Sequence, residues 1–325
     1  MRFLRGLLGV FLTCLCINAV HAADASVYPT RPIRMLVPFA AGGGVDIAAR
    51  VVGEKMAVRL GQPIIVENRP GAGGNIAMDL VARADPDGYT LIMSGAGPTA
   101  MNVGLYSSLP FDPVKNFAPV GLVASTVYAL VIHPDVRANS FRQLLDLARK
   151  EPGKLSFASP GIGAPPHLAA ELLQYMAGVR LLHVPYKGTG PALVDLLGGQ
   201  IDMYFADLIA VQQYLASGKL RALAVSSSQR SLLEPQIATI AESGLPGYEA
   251  IGWTGLLAPA GTPQPVIAKL NAELNRAIRL PDVQEKLAGK GDQFGDNTPD
   301  EFARFIKSEI DKWSKLIKVA NIKAE

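Results

Sequence analysis

Cysteine is almost absent from this sequence of 325 residues. Its only two cysteines, Cys14 and Cys16, fall within residues 1–22, which we expect to be removed as a secretory signal peptide. The exported chain would then contain no thiol. That excludes disulfides, thiolate metal sites and cysteine nucleophiles, so a chain of about 300 residues must rely on its own core for stability.

The signal peptide prediction rests on the order of charge, apolarity and small residues. Arg2 and Arg5 precede an apolar stretch that runs from Leu7 to Val20, and the residues up to Ala22 suit cleavage after that position. A membrane anchor is the alternative, but the stretch is short for a membrane span. We therefore expect an exported protein.

An excess of one charge is also missing. The sequence has 31 lysines and arginines against 28 aspartates and glutamates, and loss of Arg2 and Arg5 would lower the basic count to 29. A chain this close to neutral gives no indication of nucleic-acid binding. No segment after the signal peptide is apolar for long enough to span a membrane.

Motifs for catalysis are scarce as well. Three histidines remain after residue 22, His133, His167 and His183, and they are far apart in the sequence. The sequence has no G-x-S-x-G elbow, no H-E-x-x-H pair and no Asp/Asn-rich calcium loop. We therefore expect a binding protein rather than an enzyme, with no cofactor and no metal.

What the sequence does contain is a repeated alternation of short apolar runs with amphipathic stretches, which is typical of α/β folds. We predict one lobe from residues 23–124 and 251–325, and a second lobe from residues 125–250. The chain would cross between the lobes near residue 125 and again near residue 250. The predicted fold is thus α/β, with two lobes joined by two hinge crossings.

The most informative segment is Val37-Pro-Phe-Ala-Ala-Gly-Gly-Gly-Val-Asp46, where a strand leads into three glycines and then into a helical pattern. Such a turn leaves backbone N–H groups at the helix N-terminus free to bind an anion. We predict that the N–H groups of residues 41–45 donate to a carboxylate and that Asp46 holds the loop. The alternative is a plain connection between strand and helix.

Known nucleotide-binding loops do not fit this segment. Ile47 stands where G-x-G-x-x-G requires its last glycine, and no Gly-Lys-Ser/Thr follows. The segment therefore predicts neither a dinucleotide site nor a phosphate-binding P-loop.

A second glycine loop, Ser159-Pro-Gly-Ile-Gly163, also follows a predicted strand and precedes a predicted helix. Ser159 could offer its hydroxyl, and Gly161 to Gly163 could offer N–H groups. A ligand that satisfied donors in both loops would favour closure of the lobes around it. His167 could face the same cleft or, equally well, pin the loop from a buried position.

Two more segments lie beyond strand ends, where ligands bind in open α/β sheets. Ala96, Gly97 and Thr99 could form a wall of the cleft or only a turn that is stopped by proline. Tyr186 could stack on the ligand or bond to it, and Lys187 could add positive potential.

Several segments, taken in order, resemble one protein family. They are Val37–Asp46, Val66–Asn75, Asp85–Thr90, Phe157–Gly163 with His167, Val184–Gly188, Gly218–Ala224 and Gly252–Pro263. Together they resemble the Bug family, the TctC-type extracytoplasmic solute receptors of tripartite tricarboxylate transporters. The resemblance extends over nearly the whole chain after the signal peptide.

This resemblance implies a type II periplasmic binding protein that closes on its ligand like a flytrap. It implies that a small organic acid is held by backbone groups and water, and is delivered to the membrane subunits of a secondary transporter. A sensor that presents the acid to a membrane kinase is the alternative. We expect a monomer in the periplasm. The predicted ligand-binding residues are Phe39, Ala41, Gly42, Gly43, Gly44, Val45, Asp46, Ala96, Gly97, Thr99, Ser159, Gly161, Gly163, His167, Tyr186 and Asp207.

The sequence departs from the family at Tyr204-Phe-Ala-Asp207. The family often has Met-Phe-Asp here, with the acid where Ala206 stands, and that acid often meets an amino or polar group of the ligand. Because the acid comes one residue later in this chain, the shift argues against an amino-acid ligand. Asp207 could reach the cleft or cap the next helix.

The two tryptophans differ in context. Trp253 lies in the predicted return crossing and is expected at the hinge or in the core. Trp313, on a charged C-terminal helix, is expected to be a packing residue.

Overall fold

The computed structural model of the protein describes residues 28–186, 188–288 and 298–323. The predicted signal peptide and its cleavage site lie outside these residues.

The described residues form two β-sheets of five strands each. The first sheet has the order β2-β1-β3-β10-β4, in which β1 is parallel to β2 and β3, whereas β10 is antiparallel to β3 and β4. Its strands are β1 (Ile33–Val37), β2 (Ile64–Asn68), β3 (Thr90–Gly95), β4 (Phe117–Thr126) and β10 (Gly252–Pro259).

The second sheet repeats this plan with the order β7-β6-β8-β5-β9. Strand β6 is parallel to β7 and β8, whereas β5 is antiparallel to β8 and β9. Its strands are β5 (Tyr128–Ile132), β6 (Ser156–Ser159), β7 (Leu182–Pro185), β8 (Met203–Asp207) and β9 (Arg221–Val225).

The chain crosses from one sheet to the other twice. Strand β4 ends at Thr126 and β5 begins at Tyr128, so Val127 alone separates strands of different sheets. The return passes from β9 to β10, and on the way the N–H of Ala250 donates to the carbonyl of Ser226 at 2.9 Å. The prediction of a two-lobed α/β fold with two crossings is confirmed. The residue limits given above for each lobe stay a prediction.

Helices cover the sheets. They are α1 (Gly44–Leu60), α2 (Asn75–Ala82), α3 (Asn102–Leu105), α4 (Phe141–Lys150), α5 (Pro165–Ala177), α6 (Thr189–Leu197), α7 (Leu208–Ala216), α8 (Gln264–Ile278), α9 (Pro281–Ala288) and α10 (Pro299–Val319).

Local sequence explains where several of these helices begin. The Ser140 hydroxyl caps α4 by accepting from the N–H of Gln143 at 3.3 Å. At α10, Thr298 and Glu301 form a reciprocal capping box, with Pro299 in the first turn.

One helical segment was not expected from the sequence. Residues 97–101 form a π-helical turn that continues into α3, where the sequence suggested a wall or a turn stopped by proline. Pro98 does not stop the helix, because it lies in the first turn, where its missing N–H would have had no partner.

The hydrophobic core consists of buried residues of both sheets and of the helices packed on them. Trp313 on α10 is fully buried, so its prediction as a packing residue is confirmed. Among the described helices, none combines the length and apolarity needed to cross a bilayer.

Candidate ligand site

A cavity of about 510 Å³ lies between the two sheets. The half of the wall nearer the first sheet consists of Phe39, Gly44, Val45, Gly73, Gly95, Ala96, Gly97, Pro98, Asn102, Leu105, Tyr106, Thr126, Gly252, Trp253 and Thr254. The half nearer the second sheet consists of Tyr128, Pro160, Gly161, Ile162, Gly163, Ala164, Pro165, Pro166, Thr189, Tyr204 and Asp207.

The predicted ligand-binding residues divide into two groups. Those that line the cavity are Phe39, Gly44, Val45, Ala96, Gly97, Gly161, Gly163 and Asp207. Those that lie elsewhere are Ala41, Gly42, Gly43, Asp46, Thr99, Ser159, His167 and Tyr186.

Asp46 holds the loop before α1. Its carboxylate accepts the N–H of Gly42 at 2.8 Å and the amide of Asn68 at 2.9 Å, and it pairs with Arg50 at 3.0 Å. Burial acts to raise the pKa of Asp46, but the hydrogen bonds from Arg50, Gly42 and Asn68 outweigh it and lower that pKa to about 2. Asp46 is therefore a support of the loop and does not contact the cavity.

The hydrogen bond from Gly42 to Asp46 reduces the number of N–H groups that the loop before α1 has free for a ligand. The N–H of Gly42 donates to Asp46, and Ala41 and Gly43 lie exposed outside the cavity wall. The donation of these three residues to a ligand stays a prediction. Gly44 and Val45 form the first turn of α1 and line the cavity. The N–H groups of a first turn have no acceptor within their helix, so each of these two residues carries an N–H without a helical partner.

The loop of the second lobe is bonded differently. The N–H of Gly161 donates to the Ser159 hydroxyl at 3.3 Å, and the N–H of Gly163 donates to Nδ1 of His167 at 3.0 Å. Ser159 is itself fully buried. Neighbouring side chains therefore already accept the N–H groups of Gly161 and Gly163, and the donation of these three residues to a ligand stays a prediction.

His167 pins this loop from behind, which is one of the two positions expected for it. It is 4 % exposed, and its ring stacks on that of His183 with centroids 4.0 Å apart. On the other side, Nε2 of His183 lies 2.7 Å from the Ser159 hydroxyl oxygen. Burial, and secondarily the nearby His167, lower the pKa of His183 to about 4.

With these bonds satisfied, the second loop presents a mainly apolar wall. Helix α5 begins with Pro165 and Pro166, which have no N–H to offer. Gly163 has φ +75°, and a Cβ placed there would lie 2.7 Å from Cδ1 of Leu105 in the other lobe. The two lobes thus meet closely at this edge of the cavity.

Two more predicted residues point away from the cavity. Thr99 is fully buried and donates its hydroxyl proton to Ser94 at 2.9 Å. Tyr186 donates to the carboxylate of Asp195 at 2.7 Å, and burial together with this bond raises the pKa of Tyr186 to about 12. Neither residue lines the cavity, and their contacts with a ligand stay predictions. Lys187 lies outside the described residues.

Asp207 stands at the end of β8, on the cavity wall, beside two tyrosines of the second sheet. Burial raises the pKa of Tyr128, and the charge of Asp207 raises it further. Burial also raises the pKa of Tyr204, while a hydrogen bond from Thr189 opposes that rise. Asp207 is the N-cap residue of α7, but its side chain makes no capping bond there.

Sequence reasoning missed much of this polar wall. Tyr128, Thr189, Tyr204 and, in the first lobe, Asn102 line the cavity without having been proposed. The tyrosines belong to apolar strands, Tyr128 as the first residue of β5 and Tyr204 as the second residue of β8, and an aromatic residue in such a strand normally indicates a core position. Proximity to a strand end was the only available signal, and it applied to Tyr204 through its neighbour Asp207.

Charged side chains are scarce on the cavity wall. Within the part of the chain that the structure describes, Asp207 is the only carboxylate on the cavity wall, and no lysine or arginine lines it. A ligand anion at this wall would therefore depend on main-chain N–H groups and uncharged polar side chains. No three His, Cys, Asp or Glu side chains among the described residues are placed to hold a metal ion.

Two lobes, each built on a mixed sheet and joined by two crossings around a central cavity, define a periplasmic binding protein. Residues 48–322 match the family described as the tripartite tricarboxylate transporter family receptor, TctC. The chain belongs to this family.

Related proteins agree with that assignment. BugT of Bordetella pertussis is 38% identical over 324 residues, which cover 99% of this chain and 99% of BugT. A Rhodopseudomonas palustris protein solved with adipate has a TM-score of 0.78 and 34% identity, over 91% of this chain and 99% of that one. MatC from R. palustris, solved with malate, has a TM-score of 0.75 and 35% identity, over 89% and 100%.

Proposed function

We propose that this protein is an extracytoplasmic receptor that binds a small organic acid in the cavity between its lobes. One carboxylate of the acid accepts hydrogen bonds from the N–H groups of Gly44 and Val45. The receptor works in the periplasm and passes the acid, chemically unchanged, to the membrane subunits of a tripartite tricarboxylate-type transporter. The family description and the acids bound by two structural relatives support this proposal.

The observation that carries the proposal is the first turn of α1. Gly44 and Val45 line the cavity at a helix N-terminus, where the helix dipole favours negative charge. Asp46 fixes the loop without itself reaching the ligand. A hydrogen bond from such a donor to a charged acceptor contributes roughly 1.5–3 kcal/mol, so two of them can anchor an acid without an arginine.

The opposite wall favours a second feature of the ligand. Asp207, with the Tyr128 and Tyr204 hydroxyls nearby, presents acceptors and negative charge. We propose that the acid carries a hydroxyl or amino donor at its other end. The position of Asp207 on the wall revises the sequence argument against an amino-acid ligand, since the shifted carboxylate still lines the cavity.

A thermal-shift series of matched acids tests both features. Succinate, malate and aspartate differ only in the hydrogen, hydroxyl or ammonium on one carbon, and the amide of each removes one carboxylate. A ligand at a hundred times its dissociation constant stabilises the folded protein by about 2.7 kcal/mol. We expect acids to shift the melting temperature and their amides to do so less.

The series also has outcomes that would count against the proposal. Conversion of any acid to a product during incubation would point to an enzyme. Equal shifts in melting temperature for succinate, malate and aspartate would show that Asp207 does not take part in ligand recognition. If no acid of a wider panel stabilised the protein, the receptor proposal itself would fail.

A further inference from the structure

Trp253 connects the cavity to the C-terminal helix. It lies in β10, lines the cavity and is 3 % exposed. Its indole N–H donates to Oε2 of Glu309 on α10 at 3.0 Å. The ring of Trp253 is also held edge-on by Phe302 and Phe305, with centroids 5.7 and 5.5 Å away.

Glu309 is the unusual partner in this arrangement. It is 3 % exposed, and a carboxylate so deeply buried is costly unless donors surround it. Oε2 accepts a second indole N–H, from Trp313 at 2.9 Å, and Oε1 pairs with the ammonium of Lys312. Three donors from two elements therefore converge on one side chain behind the cavity wall.

We propose that Glu309 is a positioning residue for ligand binding, which fixes the indole of Trp253 as a wall of the cavity. The inference rests on the proposed receptor function, because it assigns the role of Glu309 to ligand affinity. Glu309 does not line the cavity, so it acts through Trp253.

The physical reason lies in the alternatives open to the indole. A buried N–H without an acceptor destabilises the folded protein, so the indole must keep its bond to Glu309 or find another acceptor. Phe302 and Phe305 offer no acceptor oxygen in their side chains. Without Glu309, the indole of Trp253 would rotate so that its N–H bonds to water or to the acid in the cavity. That rotation would change the shape of the cavity wall.

The tryptophan content makes this testable, because Trp253 and Trp313 are the only two tryptophans in the sequence. A nitrogen-15 spectrum of the ligand-free mature protein therefore shows two indole N–H signals, and Trp313→Phe assigns them. We expect Glu309→Leu to shift the Trp253 signal and to speed its exchange with solvent about tenfold. An unchanged Trp253 signal would overturn the proposal.

Glu273→Gln is the matched control. Glu273 is also a buried carboxylate of a first-lobe helix, 7 % exposed and paired with Arg59 and Arg276, but it does not line the cavity or contact Trp253. Its substitution should leave both indole signals in place. If Glu309→Leu does not fold, Glu309→Met replaces it throughout, because methionine keeps the length of the side chain but has no oxygen to accept the indole N–H.

The affinity arm uses adipate and malate as probes, measured by calorimetry. Trp253→Phe and Glu309→Leu should each weaken binding about tenfold, because neither variant keeps the Trp253 indole fixed at the cavity wall. If Glu309 acts through Trp253, the double variant binds as weakly as Trp253→Phe alone. Additive losses, or full affinity in Glu309→Leu, would overturn the proposal.

Failure of the receptor function would be recognised separately. If neither acid binds the wild-type protein, the proposed ligand class loses support. The indole signals of the ligand-free protein would then decide on their own whether Glu309 holds Trp253.

Discussion

Two glycine-rich loops face each other across the cavity, and each connects a strand to a helix. Their backbone N–H groups are bonded differently. In the first lobe a side chain, Asp46, takes one N–H and leaves those of Gly44 and Val45 at the cavity. In the second lobe Ser159 and His167 take the N–H groups of Gly161 and Gly163. We therefore propose that the first loop donates hydrogen bonds to the ligand and that the second loop forms an apolar wall. A glycine-rich sequence alone does not distinguish these two roles.

The largest expected effect comes from Gly44→Pro. Proline is tolerated at the first position of a helix, and Gly43 before it is extended, with φ −76° and ψ 167°, as a residue before proline must be. The change deletes one donor, so we expect acid affinity to fall by about tenfold or more while folding is preserved. Calorimetry with the best acid of the panel measures this.

Gly43→Ala is the control for that variant, because it keeps every N–H and its Cβ would lie 3.5 Å from the carbonyl of Ala40, an ordinary contact. Equal affinity of Gly44→Pro and wild type would show that the first loop is not the donor loop.

Asp46→Ala should have the next largest effect, and it should act on stability as well as on affinity. Asp46 has a pKa lowered to about 2 in the folded protein, so its contribution is complete above the unfolded value near 4 and is lost as the pH falls toward 2. The shift corresponds to about 2 kcal/mol at neutral pH. Urea unfolding of the variant at pH 7 should show a loss of that order, and a stability equal to wild type would contradict it.

The second loop should respond to acid in a higher pH window. The pKa of His183 is lowered to about 4, so protonation is resisted in the folded state. Its contribution to stability is complete above the unfolded value near 6.5 and is lost as the pH falls from there to about 4. His183→Gln should flatten the decline in melting temperature between pH 6.5 and 4. The same slope in variant and wild type would remove this histidine from the explanation.

The smallest effect is expected for Tyr186→Phe. The hydroxyl bonds Asp195 and does not line the cavity, so affinity should change less than about twofold and stability by about 1 kcal/mol. Calorimetry and thermal unfolding provide the two numbers. A clear loss of affinity would return Tyr186 to the ligand site.

Much of the fold could be predicted from local patterns. The cap at Ser140, the capping box at Thr298 and the alternation of strands with helices depend on residues close together in sequence. The continuation of the chain through Pro98 was missed, because proline at the start of a helix and proline at its end look alike when the helix itself is not recognised.

The site was predicted less well, and for a different reason. Residue types indicated which loops have free N–H groups in principle, but the acceptors that use them come from other positions. Gly163 loses its donor to His167, which the sequence left as either a cleft residue or a pin. Tyr128 lies opposite Asp207 because β5 pairs with β8 in that register. The register joins residues far apart in sequence, so local patterns could not predict it.

The contact between Gly163 and Leu105 has a consequence for the geometry of the mouth. Gly163 has only a hydrogen atom where any other residue would have at least a Cβ, so the two lobes approach more closely here than a side chain would allow. An alanine there would force the Leu105 side chain to move and would strain the backbone at φ +75°, so the close approach of the two lobes at this edge depends on the absence of a side chain at residue 163.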